Sequence, residues 1–333
     1  MTAQPDLLRS ARFRQEREAS WQRLDALVTK TEKLGAAGLS YDEARDLATC
    51  YRQAMNSLSV ARDISLDLAL LTYLERLCAR AYLVVYAPQA SLRGLLATLI
   101  RDGIPQAVRR SALPLLIGFL AMIGGGVVGF VLYQQDPSWY FSFVPTELSD
   151  GRTPAASADY LRSTLYDGAH DGAEGLSVFA SFLFSHNTQV AILVFALGIF
   201  LSVPSFLLTF YNGLLLGAFY GMFAAKGLGY DLFAWLSIHG VTEMSAICFA
   251  CAGGARIGLS VLMPGEYTRR ESLRLHGRDA VKLMILAAFM LIVAAFVEGF
   301  LRQWVQSPEL RLAIGWGLGA GWFAWLALSG RHT

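Results

Sequence analysis

The order of polar and apolar positions divides the chain into two unlike parts. Through the first third, apolar residues recur at helical spacing and stay short of any long run. One amphipathic stretch runs from about Asp6 to Leu34 and stops at Gly35. A second starts at Ser40, where Ser40 and Glu43 have the spacing of a capping box; Tyr51, Met55, Leu58 and Ala61 then recur along one face. A third runs from about Leu66 to Tyr86 and ends before Pro88, with Leu70, Leu74, Leu77 and Ala81 as its stripe. Three antiparallel helices are the simplest packing of three such stripes.

From Ser111 the pattern changes. Ser111–Tyr133 is apolar and uncharged, long enough to cross a bilayer, which takes about 20 residues. The segment 134–187 is polar and acidic, with few bases. Thr188–Ala225 carries no charge for 38 residues, too many for one crossing, and Pro204 near its middle predicts two spans hinged there. Leu232–Met263, Val281–Leu301 and Leu312–Leu328 complete six expected spans. The expected fold class is therefore all-α: a polytopic bundle at 106–333 with an extracytoplasmic loop at 134–187, behind an N-terminal cytoplasmic helical domain at 1–105.

Composition agrees. Of 333 residues, 54% are hydrophobic and 16% charged, against about 25% charged in an ordinary soluble domain. Disorder, a collagen-like repeat and a secreted disulfide scaffold are excluded. The net charge of +2 gives no reason to expect a nucleic-acid partner. Residues 1–110 hold 16 of the 28 Lys and Arg, and the first 20 residues are too charged for a signal peptide. Arg101, Arg109 and Arg110 before the first span, and four bases in 264–279, place those segments in the cytoplasm. Both termini are then cytoplasmic, and the expected location is the inner membrane of a bacterium.

Candidate chemistry lies in ionisable residues inside spans, which are costly there and a functional signal by default. His239 and Glu243 share a helix face at i and i+4, and Glu298 lies near the outer end of a later span. With Asn187 and Asn212 they form the expected buried polar site. Pairs at GxxxG spacing (Gly125/Gly129, Gly217/Gly221, Gly254/Gly258, Gly315/Gly319, Gly317/Gly321) predict close helix packing, as do Gly213 and Gly240, and favour a homo-oligomer. Cys248 and Cys251 form CxxC within an apolar helical run, which reads as small-residue packing. Trp139, Tyr140, Phe141 and Phe143 read as an aromatic belt at the outer interface, and His170 as a solvated loop residue. No Walker loop, dinucleotide fingerprint, hydrolase elbow or HExxH signature appears in a convincing context, and no cofactor is expected.

Asn187, Tyr211-Asn212-Gly213 with Gly217, His239-Gly240-Val241-Thr242-Glu243, Gly253-Gly254 and Val297-Glu298-Gly299 together resemble the stage II sporulation protein M family of bacterial inner-membrane proteins. His186 departs from that pattern, where a small polar or amide residue is expected. Tyr51-Arg52, Ala61-Arg62, Tyr73-Leu74, Arg80-Ala81 and Tyr86 resemble the cytoplasmic domain of its longer, non-sporulating members. The resemblance implies a non-catalytic scaffold joining a cytoplasmic partner to peptidoglycan-related envelope machinery. It also implies a MoxR-type AAA ATPase, a von Willebrand-type protein and an RDD-family membrane protein as associates, besides the bilayer and other envelope proteins. Two other functions stay open. One is a transporter or channel using His239, Glu243 and Glu298; the other is an intramembrane hydrolase with a metal at the same three residues.

Overall fold

The computed structural model is all-α and describes residues 5–35, 38–64, 68–86, 92–166, 172–301 and 304–331. It forms two compact units, residues up to 95 and residues from 96 onward. His170 lies outside the described residues.

The first unit packs α1 (Pro5–Leu34), α2 (Tyr41–Ile64) and α3 (Leu68–Tyr86) around Trp21, Leu24, Leu27, Ala54, Leu74 and Ala81. Its connections follow from local chemistry. Gly35 ends α1 with φ 73°, a backbone conformation glycine adopts without steric cost. Ser40 N–H donates to Glu43 Oε2 at 2.9 Å and Glu43 N–H donates to Ser40 Oγ at 3.2 Å, the reciprocal pair the spacing predicts. Lys30 Nζ also reaches both oxygens of Glu43, at 2.7 and 2.8 Å, tying α1 to the start of α2. Arg80 on α3 binds Asp25 and Glu32 on α1.

After α4 (Leu92–Thr98), which includes the boundary between the units, a π turn (Leu99–Gly103) and α5 (Ile104–Arg110) lead into α6 (Ala112–Gln135). Short helices α7 (Trp139–Phe143), α8 (Thr146–Ser149) and α9 (Ala158–Tyr166) follow. Then come α10 (Gly172–Leu197), α11 (Val203–Ala225), α12 (Gly229–Leu262), α13 (Arg269–Phe296), a second π turn (Val297–Leu301) and α14 (Pro308–Leu328). Among the described residues, four of these are long and apolar enough to cross a membrane: α6, α11, α12, and α13 with part of its π turn. Within α10, the described stretch Phe184–Leu197 is apolar as well. The segment 134–187 is thus not an open loop. It holds α7 to α9, and α10 already begins at Gly172, where Leu176, Val178, Phe179, Phe182 and Leu183 make the sequence apolar well before position 188.

The uncharged run 188–225 does break in two, by a turn at 198–202. Leu201 and Ser202 take positive φ there, and Pro204 sits in the first turn of α11, where its missing N–H is no loss. Pro204 therefore starts a helix rather than kinking one. The region 226–263 gives one continuous helix, α12.

Glycines set the closest contacts. A Cβ at Gly213 would collide with Met122 O, at Gly217 with Gly126 O, and at Gly129 with Leu214 O, so the α6 and α11 backbones touch. These pairs advance together, so α6 and α11 run parallel. Gly254 and Gly258 of α12 meet Phe195 and Gly198, and Gly315 of α14 meets Ser237 and Ile238. Gly221 meets the Tyr133 ring. The expectation fails at Gly317 and Gly321, where a Cβ would meet no atom within 4 Å. Gly240 fails in the same way, since the helix face it occupies looks into open space.

Two polar ends bracket this apolar bundle. At one, Asp279 accepts from Arg110 at 2.7 and 2.8 Å and from Arg256 at 3.1 Å, and Arg256 also donates to Arg110 O. Arg109 caps the end of α14 through the carbonyls of Leu326, Ser329 and Gly330. At the other, Tyr166 donates to Asp231, and the buried Arg311 donates to Leu165 O at 3.1 Å and Val305 O at 2.8 Å.

Two outcomes are expected. Gly217→Val should lower stability by about 1–3 kcal/mol through overpacking, while Gly240→Ala should leave it unchanged or raise it by up to ~1 kcal/mol; thermal melts in detergent check both. In the first unit, the Lys30 ammonium and then the Ser40 N–H hold the Glu43 carboxyl down at about 2, below its ordinary 4.5. A depressed carboxylate stabilises the fold above its unfolded value, so this tie should weaken as pH falls from about 4.5 towards 2. Hydrogen exchange at the start of α2 should show that loss in wild type, with Glu43→Gln already weakened at neutral pH.

Candidate functional site

Four of the five expected polar residues meet at one place. A cavity of about 660 Å³ is lined by Asn187 of α10, Asn212 of α11, and His239 and Glu243 of α12. The size lies within the range of small-molecule pockets, roughly 300–1,000 Å³. His239 and Glu243 are 3% and 4% exposed, and both stand on the same face of α12 because they are one turn apart. The Trp235 ring stands edge-on to His239 at 5.7 Å, one turn earlier again.

Helix register explains why the residues converge. Gly118 of α6 packs on Cys248 and Cys251, so the residue four further along, Met122, lies about one turn nearer Glu243. Met122 in turn abuts Gly213, which brings its neighbour Asn212 to the depth of Glu243. On α10, Phe195 packs against Gly253 and Gly254, so Asn187, two turns earlier, reaches the same level. Asn212 Nδ2 donates to Leu208 O within its own helix at 2.9 Å, which leaves its carbonyl oxygen aligned by that bond.

The other walls are apolar. Leu215, Leu216, Phe219, Leu236 and Met244 line the middle, and Val144 and Leu148 line the end towards α7 and α8. The cavity is thus a greasy chamber with a polar floor. That end is built around Arg152, which is 4% exposed and lies over the Phe219 ring at 5.4 Å. Arg152 Nε donates to Ser149 O at 3.0 Å and its Nη2 to Leu148 O at 3.2 Å, while Tyr140 donates its hydroxyl proton to Arg152 O. Burial pushes the Tyr140 hydroxyl far above its ordinary pKa, so it stays a donor. Tyr140 is therefore fully buried structure, whereas Trp139 and Phe141 of the same aromatic run are exposed.

Glu298 is placed differently. It is buried at 1% exposure on the π turn after α13, which packs against α10 and α12, but it does not line the cavity. Among the described residues, no three His, Cys, Asp or Glu side chains group as a metal site, so His239, Glu243 and Glu298 do not form the three-ligand set expected for a hydrolase. Cys248 and Cys251 are free, buried thiols against Gly118. Sequence reasoning did not find His186 or Arg152 as lining residues. The interruption at His186 was one signal, and Arg152, one of two bases in an acidic segment, was another.

Helices with these lengths, apolar middles and polar ends define a multi-pass membrane protein carrying a separate three-helix region. Residues 116–302 match the family described as Stage II sporulation protein M, and the chain belongs to that family. Residues 11–87, which cover most of the three N-terminal helices, match a Domain of unknown function (DUF8413). No curated protein and no solved structure matches the chain.

Tyr140→Phe tests the Arg152 end of the cavity. It leaves the carbonyl of Arg152 without its buried donor, at a cost of about 1–3 kcal/mol. The expected result is a lower melting temperature with faster hydrogen exchange across 139–165, and little change in α1 to α3.

Proposed function

We propose that this protein is a non-catalytic assembly protein of the bacterial inner membrane, with six crossings and both termini in the cytoplasm. The observation that carries this reading is the division of labour between the two units. One is a charged three-helix region with a water-type surface, and the other is an apolar bundle with two polar ends. α10 and α14 supply the fifth and sixth crossings. The end holding Arg109, Arg110, Arg256, Lys282 and Arg331 is the basic one, which favours the cytoplasmic side. Segment 134–166 then faces the envelope.

The three-helix region is the docking module for a cytoplasmic partner. Tyr82, Leu83 and Tyr86 lie exposed on α3, and Tyr82 packs on Tyr86 at 5.1 Å, a pre-ordered aromatic surface of the kind protein partners use. A MoxR-type AAA ATPase and its associated proteins are the partners the family resemblance suggests, with peptidoglycan-related machinery on the far side. Cross-linked pull-down from native membranes tests this. A defined partner should be retained by wild type and lost when residues 1–95 are deleted or Tyr82 and Tyr86 are changed to Ala. Equal recovery from all three would overturn the docking role.

A second reading, of solute passage or binding, is favoured by the cavity with His239 and Glu243 at its floor. It expects pH-dependent flux in vesicles that Glu243→Gln abolishes.

A further inference from the structure

The cavity's walls, its opening and one glycine say what kind of molecule it takes. Three lining residues are also among the exposed apolar side chains of the bundle: Ile123 at 60%, Phe233 at 43% and Trp316 at 55%. In a membrane these side chains face lipid. Phe233 and Trp316 stand 6.5 Å apart, ring to ring, across α12 and α14. The cavity therefore has an apolar mouth towards the bilayer, and a hydrated ion or sugar would have to shed its water there without replacement partners.

Gly240 gives the second observation. It lines the cavity, and a Cβ there would meet nothing within 4 Å. The glycines that serve packing all press on neighbouring atoms, whereas this one keeps a space open beside His239 and Glu243. The floor supplies the third. Asn187 and Asn212 are amides, which both donate and accept, and Glu243 is a buried carboxyl. A hydroxyl complements such a floor. Arg152 and His186 line the cavity as well, but the Arg152 guanidinium is engaged by the Ser149 and Leu148 carbonyls, so an anionic headgroup would still bring its charge to the buried Glu243 carboxyl.

We propose that the cavity binds an uncharged, single-chain amphiphile drawn laterally from the membrane, with its hydroxyl at the Asn187, Asn212 and Glu243 floor and its chain along Leu216 and Phe219. This rests on the second reading above, that the cavity is a binding site, and not on partner capture. Gly240 sets the width of the chamber beside the floor.

Trp235 and Trp316 line the cavity and report on it. Full-length protein in lipid nanodiscs is titrated with dodecanol bearing a terminal bromine, which quenches nearby tryptophan. Quenching should saturate, and unlabelled dodecanol should reverse it. Ionised dodecanoate and ethanol should not, one lacking the neutral head and the other the chain. Gly240→Phe should weaken half-saturation by roughly tenfold or more while melting like wild type, and Gly240→Ala should bind. Quenching that rises without saturation and ignores the competitor would mean partition into lipid alone, and would overturn the proposal. Competition by dodecanoate equal to that by dodecanol would overturn the neutral head. The competition series uses wild type only, so it decides the question even where Gly240→Phe does not fold. Saturable competition without flux in vesicles would remove the transport reading and leave this site standing.

Discussion

The bundle depends on backbone contact between α6 and α11. In lipid, helices gain little by burying leucine, because acyl chains are as apolar as side chains; close packing and polar contacts must hold them together. Gly125 and Gly129 on α6 and Gly213 and Gly217 on α11 bring the two backbones into contact through the middle of both helices. That seam does more than join two helices. It fixes their register, so Asn212 is delivered to the depth of Glu243. A slip of one turn would move Asn212 by about 5.4 Å and take it off the floor of the cavity.

The polar ends complete what the seam begins. Asp279 is 6% exposed and is shared by Arg110, Arg256 and Lys282, so α5, α12 and α13 are tied at one level. Such a carboxylate is tolerated because several cations surround it; with one alone the desolvation cost would exceed the gain. At the opposite end, Arg311 takes carbonyl oxygens from the chain before α14 and from the end of α9. Each end thus uses arginine to satisfy carbonyls that helix termini leave open. The asymmetry lies in number: one end gathers basic side chains and the other mixes signs. That difference, rather than any single contact, tells the two ends of the bundle apart.

Much of this was legible in the residues. The first three helices follow from period, the Ser40–Glu43 box and Gly35, all of them local signals. The break in the uncharged run was readable from Pro204, although the turn lies just before the proline, where Gly198 lets the chain press on α12. Two features were not readable, for one reason. Gly240 and Gly254 look alike in sequence, and only the neighbour each meets separates a packing glycine from one that keeps a space open. Glu298 has the same chemistry as Glu243, and only the placement of its π turn keeps it off the cavity. In each case the missing information is a distance between segments far apart in sequence.

The cavity itself is best understood as a cost. A bundle held by packing loses dispersion contacts wherever its lining atoms face empty space, and larger side chains would recover them. The means to close it is at hand, since a Cβ at position 240 would meet no atom within 4 Å. Glycine there also weakens α12 as a helix relative to alanine. Local stability therefore argues against the residue that is present, and the polar floor beside it adds buried groups that an apolar filling would make unnecessary. Both costs fall on one small region of a bundle that is otherwise tightly packed. A space kept open at the expense of packing, beside groups kept polar at the expense of burial, is what a site needs and what a fold alone does not.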